Sequence, residues 1–189
     1  LPAFKALVQD ANVKEVMCAY NRYEGDPCCG SDRLLTQILR EEWGYEGIVV
    51  SDCWAISDFY REENSHKTHP DSASASAAAV LSGTDLECGN SYLSLMDGVK
   101  RGLIKESDID VSVKRLLKAR YELGEMDDPE DVSWTKIPYS IVASKEHHEQ
   151  ALEMARKTMT LLQNKNNILP IKRGGKTIAV MGPNANDSI

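Results

Sequence analysis

The sequence predicts an α/β fold of parallel strands joined by helices, and three stretches predict it. The run Gly47-Ile48-Val49-Val50-Ser51-Asp52 is short, β-branched and opened by Gly, the pattern of a strand buried on both faces. Before it, Leu34, Leu35, Ile38, Leu39 and Trp43 recur three and four apart, which is one apolar stripe of a helix. Further upstream, Glu15 to Asn21 reads as an earlier strand. Strand, helix and strand then follow in the order that parallel pairing requires.

The elements follow in chain order. Leu1 to about Asn12 reads as the end of a helix, with Phe4, Leu7 and Val8 as its apolar side, ahead of a strand at Val16 to Tyr20. Ser31-Asp32 opens the next helix, with Asp32 as its N-cap, and Gly44 is placed to stop it. A polar segment, Ser57 to Pro70, leads to a tightly packed Ala/Ser-rich helix over Ala73 to Leu81, and a strand at Thr84 to Leu86 completes a second crossover. Tyr92 to Leu103 and Ile109 to Leu123 carry helical periodicity, the second capped by Ser107-Asp108. Asp127-Asp128-Pro129-Glu130-Asp131, followed by Pro138, reads as an acidic linker. Beyond it, Lys145 to Thr158 reads as a helix, and Thr160 to Leu162 and Thr177 to Met181 as short strands of a new sheet. There is no internal repeat.

Composition narrows the functional classes. Against 22 Lys and Arg stand 29 Asp and Glu, a net charge of −7, which argues against nucleic acid as a principal partner. No stretch is apolar for long enough to span a bilayer, and no charged-then-apolar leader opens the sequence, so a soluble chain is expected. The residue after a buried parallel strand emerges at the C-terminal edge of the sheet, where such folds place their chemistry. Asp52 occupies that position. Taken alone, an Asp there is more often a turn residue than a catalyst.

The flanks change the balance. The stretch from Ile38 through Trp43-Gly44-Tyr45-Glu46-Gly47 and Ser51-Asp52-Cys53-Trp54 to Ala55 resembles the active-site signature of the family 3 glycoside hydrolases, the β-glucosidases and β-xylosidases. Met17-Cys18-Ala19-Tyr20-Asn21 resembles the family's preceding strand, and Ser82-Gly83-Thr84-Asp85-Leu86-Glu87-Cys88-Gly89 the strand that closes its barrel. The similarity continues through Gly98 to Gly102, Arg115 to Leu117, Leu161 to Asn164 and Ile178 to Pro183, so it covers essentially the whole chain. It implies that residues 1–124 are the C-terminal part of a (β/α)8 TIM-type barrel, residues 125–144 a linker, and residues 145–189 the start of an α/β sandwich domain. On this reading the chain is a fragment of a larger enzyme.

The same resemblance implies a retaining glycosidase that removes terminal β-linked xylose or glucose from short oligosaccharides or aryl glycosides, with no cofactor and no metal. Retention needs one carboxylate to attack the anomeric carbon and a second carboxyl group to protonate the leaving oxygen. Asp52 is the implied nucleophile. The acid/base is implied to come from the remainder of the parent polypeptide. Of the acidic residues here, Glu41 and Glu42 lie on the solvent side of a helix, while Glu62 and Glu63 sit in the loop after Asp52. Tyr20 matches a family tyrosine near the nucleophile. Trp54 is a candidate to stack on a sugar ring, although the family often has a small residue there. Glu87, before Cys88-Gly89, and Cys53 tilt the expectation toward xylosides. Two other readings stand beside this one, a β-N-acetylhexosaminidase and a carbohydrate-binding or scaffold relative that has lost catalysis.

Five cysteines, Cys18, Cys28, Cys29, Cys53 and Cys88, fall near strand ends or the loop after the first strand. Their spacing is not that of a metal site. They read either as buried thiols or as carrying a disulfide, for instance between Cys53 and Cys28 or Cys29, and a periplasmic or secreted location is favoured. His66 and His69 lie in a polar loop beside Pro70, suited to sugar contact or to solvent, and His147-His148 to a solvated helical face. Gly174-Gly175-Lys176-Thr177 precedes a strand rather than following one and reads as a turn, not a phosphate loop. Asn186-Asp187-Ser188 fits a glycosylation triplet.

Overall fold

The computed structural model describes residues 1–63, 65–175 and 177–186, in two compact units, Leu1–Lys136 and Ile137–Ile189. The first unit opens with helix α1 (Pro2–Gln9), strand β1 (Glu15–Cys18) and a hairpin of β2 (Arg22–Tyr23) and β3 (Asp26–Pro27). A π-helical segment, Arg33–Glu42, leads into β4 (Ile48–Ser51). Helices α2 (Ser72–Leu81), α3 (Leu95–Lys100) and α4 (Glu106–Glu122) follow.

The expected strand–helix–strand order forms. β1 and β4 pair in parallel, with Cys18 opposite Ser51, and Leu86 adds a parallel bridge to Val50 on the other side of β4. The strand expected over Thr84 to Leu86 is thereby reduced to that single bridge. The expectation that β4 is buried on both faces is corrected: Val49 and Ser51 are buried, whereas Ile48 and Val50 are only half-buried. The covered face packs on Leu35, Leu39, Ile56, Phe59, Ala75 and Ala79, the centre of the apolar core. Phe4 and Leu7 of α1 are exposed, and only Val8 of its expected apolar side reaches that core.

The helix before β4 is capped differently from the expectation. Asp32 has helical dihedrals and its carboxylate accepts from the Gln37 amide at 2.8 Å, so it lies inside the first turn rather than ahead of it. Ser31 does the capping, its hydroxyl accepting from the Leu34 N–H at 3.3 Å and its carbonyl from the Leu35 N–H at 3.0 Å. At the other end the Trp43 N–H donates to the Ile38 carbonyl, an i to i−5 bond, and Gly44 turns the chain at φ +72°. A capping box joins Asp71 and Ser74 at the start of α2. In α2, Ala73, Ala75, Ser76, Ala77 and Ala79 are all buried, because small side chains let neighbouring backbone approach closely on several sides. At the start of α4, Asp108 accepts from the Lys105 N–H at 3.0 Å, so Asp108 contributes to the cap as expected, and Lys105 is the N-cap residue.

The expected acidic linker is not extended throughout. Val132 is buried and the Trp134 indole donates to the Leu123 carbonyl at 3.0 Å, folding residues up to Lys136 onto the end of α4. Within Ile137–Ile189, helix α5 (Lys145–Thr158) forms as expected, capped by Ser144. The short strands expected at 160–162 and 177–181 do not form among the described residues, where Leu162 is 92% exposed and Met181 86%. A strand needs a hydrogen-bonded neighbour, and a short apolar run supplies none by itself. Where a turn is expected at 174–177, the chain bends at 173–175, with φ of +92° at Gly174 and +70° at Gly175. Lys176 and the Asp187-Ser188 part of the glycosylation triplet lie outside the described residues. No helix among the described residues is long and apolar enough to cross a membrane.

Candidate active site

Three parallel segments end side by side. The Asp52 N–H donates to the Cys18 carbonyl at 3.1 Å, the Ser51 N–H to the Leu86 carbonyl at 2.8 Å, and the Cys88 N–H to the Ser51 hydroxyl at 3.0 Å. The residues just past those ends, Tyr20, Asp52 to Trp54, and Glu87 to Cys88, therefore share the C-terminal edge of the sheet. Asp52 is the central one. Its Oδ1 accepts from the Cys53 N–H at 2.7 Å, which fixes the carboxylate while leaving the residue half-buried at the edge.

Tyr20 reaches across to this position. Its hydroxyl donates to the Cys53 carbonyl at 2.5 Å, on the residue that follows Asp52 and whose N–H holds the Asp52 carboxylate. Burial, then the Asp52 carboxylate, then Asp58 hold the phenol above its ordinary pKa, so it stays a neutral donor. Tyr20 is 44% exposed. Tyr20 thus lies beside Asp52, bonded to the peptide that follows it.

Trp54 has φ +66°, a left-handed conformation uncommon for a bulky side chain, and its N–H donates to the Cys88 carbonyl at 2.6 Å. That backbone geometry turns the indole outward, 45% exposed, with the Arg61 guanidinium 5.7 Å from the ring centroid. Glu87 is placed otherwise. Its two carboxylate oxygens accept from the Ser91 and Tyr92 N–H groups at 2.9 and 2.6 Å, capping the turn that follows. Glu62 and Glu63 are exposed, and Glu42 pairs with Arg33 on the helix surface.

The cysteines pair in a way the sequence did not reveal. Cys53 joins Cys88, and Cys18 joins Cys29, leaving Cys28 as a buried thiol. The expectation of Cys53 with Cys28 or Cys29 is corrected, because Cys53 and Cys88 follow neighbouring parallel segments while Cys29 lies under the end of β1. The Cys53–Cys88 bridge binds the two loops that flank Asp52.

Sequence reasoning also missed what His66 does. Its Nε2 lies 2.7 Å from the Tyr20 carbonyl, and its Nδ1 accepts from Arg22 Nε at 3.1 Å. His69 instead packs its ring 5.5 Å from that of Phe59, and burial lowers its pKa. Two concavities lie elsewhere on the unit, one lined by Val8, Tyr45 and Arg115 and one, of about 300 Å³, lined by Leu1, Phe4, Val16 and Met17. Neither includes Asp52 in its lining.

An edge of this kind, with a fixed carboxylate and a phenol donor, matches the sequence signature that surrounds it. The profile of the glycosyl hydrolase family 3 N-terminal domain matches residues 1–119. A xylan 1,4-beta-xylosidase of Xylanibacter ruminicola is 57% identical over 99% of this chain, and a probable exo-1,4-beta-xylosidase of Aspergillus terreus is 38% identical over 98%. The chain spans only 22% and 24% of those two proteins. Among solved structures, a GH3 exo-beta-xylosidase in complex with a xylobiose aziridine probe superposes with a TM-score of 0.78 at 33% identity, covering 91% of this chain and 22% of that one. A beta-glucosidase from Listeria innocua in complex with glucose gives 0.76 at 27% identity over 90% of this chain and 23% of that one. The chain belongs to glycosyl hydrolase family 3, and residues 1–119 are part of that family's N-terminal domain, a fold of TIM-barrel type.

Proposed function

We propose that this chain carries the nucleophile half of a retaining β-glycosidase that removes terminal β-linked xylose or glucose from short oligosaccharides. The observation that carries the reading is the placement of Asp52 at the central strand end, its carboxylate held by the Cys53 N–H and the Tyr20 phenol bonded to the Cys53 carbonyl beside it. In the first step an Asp52 oxygen forms a bond to the anomeric carbon as the bond to the leaving oxygen breaks, and that oxygen takes a proton from the acid/base carboxyl group. In the second, water attacks the same carbon, gives its proton to the acid/base carboxylate, and Asp52 leaves as carboxylate. The acid/base belongs to the remainder of the parent polypeptide. Neither step calls on a cofactor or a metal.

In this reading residues 1–124 are the C-terminal part of a (β/α)8 barrel, residues 125–144 the linker and residues 145–189 the start of an α/β sandwich domain. Trp54 offers an exposed aromatic face to a pyranose ring, and Glu87 shapes the rim through its backbone contacts rather than by touching sugar. Xylosides are favoured over glucosides because the curated relatives named above are xylosidases and because Cys53 and Glu87-Cys88-Gly89 fit that branch. The test is hydrolysis of an aryl β-xyloside and an aryl β-glucoside by the full-length polypeptide and its Asp52→Asn variant. The proposal expects faster turnover of the xyloside and a loss of at least about a thousandfold in the variant, the scale on which removing a catalytic group acts. Unchanged hydrolysis by Asp52→Asn refutes Asp52 as nucleophile, and no hydrolysis of either substrate by the wild type favours the reading of a relative that has lost catalysis.

A further inference from the structure

We propose that His66 is a positioning residue of this site: clamped by Arg22, its ring holds Tyr20 on the Cys53 carbonyl beside Asp52. The inference rests on Asp52 as nucleophile and adds a residue from the loop that follows it.

The hydrogen bonds decide how the imidazole works. Arg22 Nε carries a proton and cannot accept, so His66 Nδ1, 3.1 Å away, is the acceptor of that bond. A neutral imidazole with Nδ1 accepting carries its proton on Nε2, and Nε2 faces the Tyr20 carbonyl at 2.7 Å, a donor aimed at an acceptor. Arg22 also donates from Nη2 to the carbonyl of His66 itself, so a single guanidinium grips both ring and backbone. The His66 N–H donates to the Asp58 carbonyl at 2.7 Å, and the ring lies 6.5 Å from that of Phe59, which is buried.

Each end of this chain of contacts is anchored. Arg22 sits in the β2–β3 hairpin, whose turn residues Glu24 and Gly25 have φ of +52° and +101°, the left-handed pair that makes a tight two-residue turn. Tyr20 is held at its carbonyl by His66 and at its hydroxyl by the Cys53 carbonyl, and the Cys53 N–H in turn holds the Asp52 carboxylate. Releasing the carbonyl frees the backbone that aims the phenol. The phenol in turn fixes the Cys53 peptide whose N–H holds Asp52 Oδ1, and a displacement of about 1 Å at a reacting group costs on the order of a hundredfold in rate.

The experiment is a double-mutant cycle in the full-length polypeptide with an aryl β-xyloside, comparing wild type, His66→Ala, His66→Gln, Tyr20→Phe and the Tyr20→Phe/His66→Ala double variant. The expected result is a kcat for His66→Ala lower by about 10- to 100-fold with KM changed far less. His66→Gln, whose amide can still donate to the Tyr20 carbonyl, recovers most of that loss. In the Tyr20→Phe background His66→Ala changes kcat by less than about twofold, the mark of residues acting as one unit. Arg22→Lys gives the same loss and the same coupling, and carries the test if His66→Ala does not fold. Multiplicative losses, or His66→Ala and Arg22→Lys both within about twofold of wild type, overturn the inference. Labelling by a 2-fluoro-xyloside separates the two levels: a label on wild-type Asp52 together with multiplicative losses sinks His66 alone, whereas a label on another carboxylate sinks the reading of the site and His66 with it.

Discussion

Arg40 and Asp85 meet at 2.6 Å in the interior of the first unit, the Asp85 side chain having no exposed surface at all. Arg40 comes from the helix before β4 and Asp85 from the segment after α2, so the pair ties together the elements on either side of the strand that carries Asp52. Asp85 is fully engaged. Its other oxygen accepts from Arg115 at 2.8 Å and from the Ser112 hydroxyl at 2.9 Å, and Oδ2 also accepts from the Val49 N–H at 2.9 Å. Arg40 further donates to the Gly47 and Gly83 carbonyls at 3.1 and 2.9 Å.

Breaking such a pair from one side strands the remaining charge. Asp85→Ala is expected to lower unfolding free energy by about 3–5 kcal/mol, because two guanidiniums then lose their shared carboxylate in a dry site. Urea denaturation of the full-length polypeptide measures it. A loss below about 1 kcal/mol, the scale of a surface pair, refutes the structural role.

Gly47 stands where the chain enters β4, and a Cβ built there would lie 2.4 Å from the Lys14 carbonyl oxygen and 2.5 Å from the Tyr45 hydroxyl. Backbone at that distance cannot swing aside. Gly47→Ala is expected to destabilise by about 1–3 kcal/mol or more through overpacking. Gly25→Ala, where a Cβ would meet nothing within 4 Å, serves as the comparison; it carries only the strain of its φ of +101°. Equal midpoints for wild type and Gly47→Ala in chemical denaturation contradict the predicted contact.

The Tyr45 hydroxyl donates to the Ile48 carbonyl at 2.8 Å, and its pKa is pushed up to about 12, chiefly by burial, against the opposing pull of the Arg40 guanidinium. The native state thus holds the phenolic proton more tightly than the unfolded chain does. The stability linked to it is complete below about pH 10 and is lost as pH rises toward 12. Tyr45→Phe removes that slope between pH 10 and 12 while costing about 1 kcal/mol for the lost hydrogen bond. Parallel alkaline denaturation curves for wild type and variant argue against this linkage.

The Cys53–Cys88 bridge closes a sequence separation of 35 residues and joins the loops on both sides of Asp52. Replacing both cysteines by Ser is expected to lower stability by about 2–4 kcal/mol and to lower kcat together with it, since the Trp54 and Glu87 loops are then tied only by hydrogen bonds. Differential melting and steady-state kinetics on an aryl β-xyloside check the two effects. Full activity in the doubly substituted protein shows that the bridge is structural only.

What the sequence revealed followed the range of the interactions involved. The π-helical segment and β4 were legible because periodicity and a terminal Gly are written in adjacent residues, and Asp52 was legible because it ends that pattern. The cap at Ser31 was misplaced by one residue, since Ser and Asp side by side are both good caps and only the dihedral at Asp32 separates them. The Cys53–Cys88 pairing, the Arg40–Asp85 pair and the contact of His66 with Tyr20 were not legible. Each joins residues 35 or more apart whose meeting depends on which strand ends lie side by side. Glu87 shows the same limit from the other direction: its position fits a sugar-binding edge, but its carboxylate is turned to the Ser91 and Tyr92 N–H groups.

Asp52 as nucleophile is tested most directly by trapping the covalent intermediate. The full-length polypeptide is incubated with a 2-fluoro-xyloside bearing a good leaving group, digested, and its peptides sequenced by tandem mass spectrometry. The account predicts one added 2-fluoro-xylosyl group, carried on the Asp52 side chain and absent from the Asp52→Asn variant. A sugar adduct on any other carboxylate, or hydrolysis of the aryl substrate with no adduct at Asp52, contradicts it.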